Sequence, residues 1–334
     1  MIHGQPPDSG LSPSSLRLFL GLLGLLAALL LTGCQPPPPS ALRIGTNVWQ
    51  GYEPLYLARD KGYYGDSRIR LVEFTSATQL LQAFRNGAID GATLTLDESL
   101  QLAQDGHDLG IALILDFSHG ADALVARPDI ASLAGLRGKR VGMENTALGA
   151  YMATRALHKV GLGPQDIIPV TVRVDEHQRA YREGRVDALV TFEPARSQLR
   201  AMGARELFNS GDIPNEVMDV LVLRHGAGER HADQVRALLQ GWFRALDLIR
   251  QDARGAARQM APRLGIAPEA VIATFRELRL ADRENNRAML ASDPPQLLEI
   301  AGKLQQTMLT NQLLRGPVDI AGLIEPGPLR ELDR

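Results

Sequence analysis

The chain has 334 residues, 45% hydrophobic and 22% charged, with a single cysteine and a formal net charge of −2. That profile describes a globular protein of one or two domains with a large core, and it excludes a disordered or collagen-like chain. Lysine plus arginine, 36, nearly balances aspartate plus glutamate, 38, so there is no basic surplus to grip a nucleic-acid backbone.

The first predicted element is an export signal, residues 1–33. A polar start with Arg17 precedes an apolar or glycine run from Leu18 to Leu31, too short to span a bilayer comfortably. Leu31-Thr32-Gly33-Cys34 resembles the bacterial lipobox, which implies cleavage before Cys34 and a diacylglycerol on its thiol. Residues 34–41 then read as the lipidated cysteine and a Pro-rich, polyproline II tether that lifts a folded body off the membrane. No second cysteine exists to form an intramolecular disulfide.

From Leu42 onward short β-like runs alternate with amphipathic helical patterns, the signature of an α/β fold. Arg43-Ile44-Gly45 reads as a strand entering a turn. Residues 77–87 read as a helix with Ala77, Leu80, Leu81 and Phe84 on one face, Ser76 and Gln79 as a capping box, and Gly87 as terminator. Ile111 to Asp116 is strand-like, and residues 231–314 are almost wholly helical, with Trp242, Phe243, Leu246 and Ile249 on one face.

A partial repetition runs through this pattern at an offset of about 97 residues. Arg43-Ile44-Gly45 recurs as Arg140-Val141-Gly142; Arg85-x-Gly-x-Ile-Asp90 as Arg182-x-Gly-x-Val-Asp187; and Asp122-x-Leu-Val-x-Arg127 as Asp219-x-Leu-Val-x-Arg224. Gly91 to Thr95 matches Ala188 to Thr191 with one deletion. The repetition implies two similar lobes: residues 42–126 plus 225–334 as lobe I and residues 127–224 as lobe II. The two Asp-x-Leu-Val-x-Arg strands are expected side by side as a two-strand hinge, with the helical tail returning over lobe I.

Lipobox, tether, two lobes and helical tail together resemble the ABC-transporter substrate-binding lipoproteins, within them the NMT1/THI5-like, SsuA/TauA group. The residues that carry the resemblance are Gly51-Tyr52-x-Pro54-Leu55-Tyr56-Leu57-Ala58 with Lys61-Gly62-Tyr63-Tyr64, residues 84–90, and Leu136-Arg137-Gly138-Lys139-Arg140-Val141-Gly142. The resemblance implies a bilobal type II periplasmic-binding-protein fold and a small-molecule ligand held between the lobes. It also implies delivery to an ABC permease and its ATPase, at the periplasmic or outer side of a bacterial envelope, by a monomer.

Ligands of α/β folds lie beyond the carboxyl ends of strands. The loops that meet this rule nominate Trp49, Gln50, Tyr52, Glu53, Ser76, Thr95, Asp97, Glu98, Asp116, Phe117, Ser118, Glu144, Asn145, Thr146, Thr191, Phe192 and Glu193. Aromatics beside carboxylates, with no arginine in these loops, favour an amine, a zwitterion or a nitrogen heterocycle. A sulfonate or nitrate is the alternative, held at the helix N-termini around Ser76 and Asn145. Single residues have bland readings too: Glu53 and Glu193 as balance for a helix dipole, Asp97 and Glu98 as caps, Trp49 and Phe192 as core.

No phosphate loop, dinucleotide fingerprint, zinc-protease or nucleophile-elbow motif occurs, and the seven histidines lack metal-ligand spacing. A binding protein without metal or cofactor is therefore expected, not an enzyme. A further alternative is a ligand-sensing lipoprotein that acts on a periplasmic receptor domain.

Overall fold

In the computed structural model, which describes Met1 and residues 40–332, the strands form two mixed sheets. The chain divides into two compact units, Met1–Ser40 and Ala41–Arg334, and both sheets belong to the second. The export signal, Cys34 and all but the end of the tether lie outside the described residues.

The first sheet contains β1 (Leu42–Asn47), β2 (Ile69–Phe74), β3 (Gly91–Thr95), β4 (Leu109–Ser118), β10 (Met218–Arg224) and β11 (Leu278–Leu280), in the order β11-β4-β10-β3-β1-β2. The second contains β5 (Asp122–Ala126), β6 (Arg140–Met143), β7 (Ile168–Thr171), β8 (Ala188–Phe192) and β9 (Arg205–Asn209), in the order β7-β6-β8-β5-β9. β3, β5 and β8 are buried along their whole length, their small and apolar residues interrupted only by Thr93, Thr95, Asp122 and Thr191.

The repetition in the sequence is a repetition of structure. β1 pairs in parallel with β3 as Ile44 opposite Gly91, and β6 with β8 as Val141 opposite Ala188, the same register one repeat later. Each strand pair is clamped alike. Arg43 donates from its backbone N–H, Nε and Nη2 to Asp90 at 2.9–3.0 Å, and Arg140 donates from the same three groups to Asp187 at 2.7–3.0 Å.

The two Asp-x-Leu-Val-x-Arg strands correct the expected hinge, because they are not neighbours. β5, from the first half of the chain, pairs antiparallel with β8 and β9 of the second sheet; β10, from the second half, pairs with β3 and β4 of the first. The halves have exchanged strands, so residues 122–126 stand in the second sheet and residues 218–224 in the first. Registers again coincide: Asp219 opposes Thr95 and Asp122 opposes Phe192. Gly91–Thr95 therefore matches Ala188–Phe192 without the deletion read from the sequence.

The crossings between sheets, residues 118–122 and 209–218, lie together. Ser118 and Ser210 hydroxyls are 2.7 Å apart, Gly120 N–H donates to Ser210 Oγ at 2.7 Å, and Ser118 N–H donates to the Val217 carbonyl at 3.0 Å.

Helices flank both sheets, among them α1 (Glu53–Asp60), α2 (Ala77–Arg85), α3 (Leu96–Gln104), α4 (Ala147–His158), α5 (His177–Arg182) and α6 (Ala195–Ala201). Ser76 caps α2, its hydroxyl accepting from Gln79 N–H at 3.2 Å, but the reciprocal half of the expected capping box is absent, since Gln79 Oε1 accepts from the Thr75 hydroxyl at 3.0 Å; Thr146 caps α4 through Gly149 N–H. The tail is helical, led by α7 (Ala232–Gln251), whose Trp242, Phe243 and Leu246 are buried. α7 packs on α1, and Gly241 permits the close approach, since a Cβ there would stand 2.5 Å from the Tyr64 ring. Among the described residues no helix is long and apolar enough to cross a membrane.

Candidate functional site

The carboxyl ends of β1, β3 and β8 and the starts of β5 and α2 meet around a narrow cavity of about 20 Å³ between the two sheets. It is lined by Asn47, Trp49, Tyr52, Ala77, Thr95, Glu98 and Asp219 from the first sheet's side, and by Asp122, Leu148 and Phe192 from the second's. Trp49 and Phe192 meet across it edge to face, with ring centroids 5.8 Å apart and planes at 82°.

Beneath the aromatics lies a group of buried acids. Asp116 on β4 and Asp219 on β10 are directly opposed partners on adjacent antiparallel strands. Trp49 Nε1 donates to Asp116 at 3.3 Å, and the Tyr52 hydroxyl makes a short hydrogen bond to Asp219. Gly51 is required here: a Cβ at this position would collide with the Asp116 carboxyl and the Trp49 indole. Asp97, Glu98 and Asp122 complete the group, none more than 3% exposed.

Burial raises every one of these carboxyls above its ordinary range. Asp122 is pushed up to about 7, desolvation outweighing its hydrogen bond with Ser118. Asp219 is raised well above its ordinary range, by desolvation and then by the facing Asp116. Glu98 is raised by desolvation and by Asp97 beside it. Asp116 Oδ1, Asp122 Oδ2, Glu98 Oε1, Asp97 Oδ2 and both polar atoms of the Gln50 amide are buried without a hydrogen-bond partner. Buried polar groups are normally satisfied, so a concentration of unsatisfied ones around one cavity marks a place built for another molecule.

Among the described residues no lysine, arginine or histidine lines the cavity. The nearby arginine, Arg196, is 4% exposed and is held by Glu206 (2.7 Å), Glu193 (3.2 Å) and Glu277. Since Arg196 follows β8 and Glu277 precedes β11, this ion cluster ties the two lobes together.

The structure separates the residues nominated from the sequence. Trp49, Tyr52, Thr95, Glu98 and Phe192 line the cavity; Gln50, Asp97 and Asp116 are buried but are not among its lining residues. Glu144 reaches across the cleft: its carboxylate accepts from Ala77 N–H at the start of α2 (3.3 Å) and from Val174 N–H (3.2 Å), and burial pushes it up to about 7. It therefore occupies the helix N-terminus that the sequence offered to an anion.

Others stand apart for identifiable reasons. Glu53 is paired with Arg263, whose guanidinium also stacks on Tyr56 at 3.3 Å. Phe117 faces a different groove, under the Arg279 guanidinium at 3.9 Å, because neighbouring strand residues point to opposite faces. Ser118 belongs to the crossing, and Thr191 bonds His177 Nδ1 at 3.0 Å. Glu193 is taken by Arg196 and Ser197, Ser76 and Thr146 are caps, and Asn145 is exposed.

Asn47, Ala77 and Leu148 lie in the loops that the strand-end rule points to without being singled out there, whereas Asp122 and Asp219 lie outside those loops. A signal for the two aspartates exists, since each opens one copy of the repeated Asp-x-Leu-Val-x-Arg run, but the run specifies a strand and not what its first residue faces.

The sequence model of the NMT1-like family matches residues 35–265, most of the chain. This protein belongs to the NMT1-like family. It is 25% identical over 311 residues to a putative aliphatic sulfonates-binding protein of Escherichia coli, covering 90% of this chain and 93% of that one. A putative aliphatic sulfonates-binding protein of Bacillus subtilis is 26% identical over 253 residues, covering 68% of this chain and 73% of that one.

Among solved structures, the alkanesulfonate-binding protein SsuA of Xanthomonas axonopodis pv. citri, bound to MOPS, superposes with a TM-score of 0.71 at 23% identity, covering 87% of this chain and 98% of that one. The desulfurization enzyme DszB shares the fold at a TM-score of 0.63 and 18% identity, covering 87% of this chain and 98% of its own. The fold is thus the SsuA-like periplasmic-binding architecture, and it also carries catalysis in at least one neighbour.

Proposed function

We propose that this protein is the substrate-binding component of an ABC-type importer, holding a small organic molecule between its two lobes and presenting it to a membrane permease. The observation that carries the reading is the interlobe cavity with its unsatisfied buried polar atoms and its Trp49–Phe192 pair, one ring from each lobe. The crossings at residues 118–122 and 209–218, stitched by Ser118 and Ser210, are the natural pivot. Cys34, after Leu31-Thr32-Gly33, would tether the body to the bacterial envelope.

For the ligand, the relatives' names favour a sulfonate over the amine or heterocycle expected first. Three helix N-termini support that choice, because Ala77 of α2, Thr95 and Glu98 of α3, and Leu148 of α4 all reach the cavity. A sulfonate there would take the N–H groups now engaged by Glu144. We read the protein as a binder and not an enzyme, in keeping with the two similar curated proteins, both named as sulfonate-binding proteins.

The test is a melting curve of the full chain in detergent with alkanesulfonates. A ligand at about 100 times its Kd adds about 2.7 kcal/mol, hence a few degrees in Tm for a chain of this length. Glu144→Gln, which keeps the shape but weakens the carboxylate's hold on Ala77 N–H, is expected to increase that shift. Alkanesulfonates that move neither protein would discard the sulfonate reading.

A further inference from the structure

A second cavity, of about 480 Å³, lies apart from the one at the strand ends. Small-molecule sites occupy about 300–1,000 Å³. Asp116 and Phe117 are successive residues of β4 and point to opposite faces, so the acid meets Trp49 while the ring forms the floor of this second cavity. Its other apolar walls are Tyr151 of α4, Met289, and Ile300 and Leu304 of the tail helix Leu297–Thr310. Two irregularities of the backbone shape it. Residues Arg287–Ala291 form a π-helical turn, which supplies Met289, and Asn215 at the rim adopts the left-handed conformation with φ at 63°. Such π turns are frequent at functional sites, and a non-glycine residue at positive φ raises the question of what its side chain holds.

Asn215 holds Arg279, accepting from its Nη2 at 3.0 Å, and the guanidinium lies over the Phe117 ring at 3.9 Å. The base is therefore set on an aromatic face beside a neutral acceptor, with N–H donors to spare. The acid among the lining residues is differently placed. Glu216 accepts from Arg155 Nε at 2.6 Å and Nη2 at 2.7 Å and from the Tyr151 hydroxyl at 2.6 Å, so its charge is already answered. Lys303, at the mouth, meets only the exposed Glu299 one turn away on its own helix, a pairing that water weakens. The cavity thus joins an apolar interior to a net positive rim. A planar guanidinium fork matches a carboxylate, and the Phe117 and Tyr151 rings with the Met289 thioether suit an aromatic body.

We propose that this cavity is a second binding site, for an aromatic carboxylate, with the carboxylate on Arg279 and Lys303 and the ring among Phe117, Tyr151 and Met289. The two cavities share no lining residue, so the site stands whether or not the interlobe cavity takes a sulfonate.

The experiment is calorimetry on the full chain in a nonionic detergent with phenylbutanoate, phenylbutanamide and phenylbutylamine, which share one apolar body and differ in charge. The carboxylate is expected to bind at least about ten-fold tighter than the amide, and the amine weakest of the three. Arg279→Gln is expected to bring the carboxylate down to the affinity of the amide. Ile300→Trp, which fills the space from a half-buried position, is expected to abolish binding of both; Thr307→Trp, also half-buried, replaces it should that variant melt early. Amide or amine binding as tightly as the carboxylate overturns the proposed ligand class. A carboxylate affinity unchanged by Arg279→Gln, or unchanged by the tryptophan variants, means that the compound binds elsewhere and overturns the site. Failure of all three compounds to bind the wild-type chain overturns it as well.

Discussion

Two pairs of repeated aspartates behave in opposite ways. Asp90 and Asp187 each sit beside an arginine at the start of the preceding parallel strand, and each lies below its ordinary pKa: at Asp90 burial pushes upward but the Arg43 hydrogen bonds outweigh it, and at Asp187 the Arg140 hydrogen bonds dominate. Asp122 and Asp219 are hydrogen-bonded to no basic group and are raised by burial, which at Asp122 outweighs the pull of Arg196. One residue type, duplicated twice in one chain, has become a structural clamp where a guanidinium is supplied and part of a cavity floor where it is withheld.

The largest expected effect is on stability against pH. A carboxyl whose folded pKa is raised favours the folded state while it keeps a proton that the unfolded chain has lost, so ligand-free stability falls as pH climbs from about 4 to about 7. Asp122 alone accounts for on the order of 4 kcal/mol at neutral pH. Asp122→Asn is therefore expected to melt higher than wild type at pH 7 and to flatten the slope, as read by denaturant titration across this range. A wild-type profile that is level from pH 4 to 7 would remove the distinction between the two pairs.

The clamps predict the reverse trend. Asp90 and Asp187, lowered in the fold, contribute stability that is fully present above about pH 4 and lost as pH falls through their folded values. Arg140→Met converts one clamp into an unpaired acid, and a lower stability at pH 7 is expected, read by denaturant titration. Loss of the acid-side dependence in that variant would sharpen the comparison.

A smaller effect, about 1 kcal/mol, is expected for Ser210→Ala, which removes the hydroxyl shared by Ser118 Oγ and Gly120 N–H. Its informative readout is the radius of gyration by small-angle scattering. An increase would mean that the crossings hold the lobes together, and an unchanged radius would assign that role to the Arg196 cluster.

Local signals in the sequence carried much of this structure. The cap at Ser76, the helix from Ala77, and the amphipathic face of Trp242, Phe243 and Leu246 were all legible, because capping chemistry and helical spacing are properties of neighbouring residues. The exchange of β5 and β10 was not, since the Asp-x-Leu-Val-x-Arg runs specify strands without specifying partners. For the same reason the loops at Trp49, Thr95 and Phe192 could be placed near a cavity, whereas Asp122 and Asp219 passed as strand residues. Phe117 was misplaced by one step of the strand's alternation, and Glu53 and Glu193 by partners, Arg263 and Arg196, that no spacing in the sequence links to them.

The exchanged strands also order events during biosynthesis. When residues 42–118 have emerged, β3 still offers one unpaired edge, and that edge waits until residues 218–224 arrive. Exposed edges of this kind are templates for pairing with other chains. A truncation that stops after β9 would leave the first sheet permanently split between β3 and β4, so a premature stop in the second half of the gene disables the part of the protein made first.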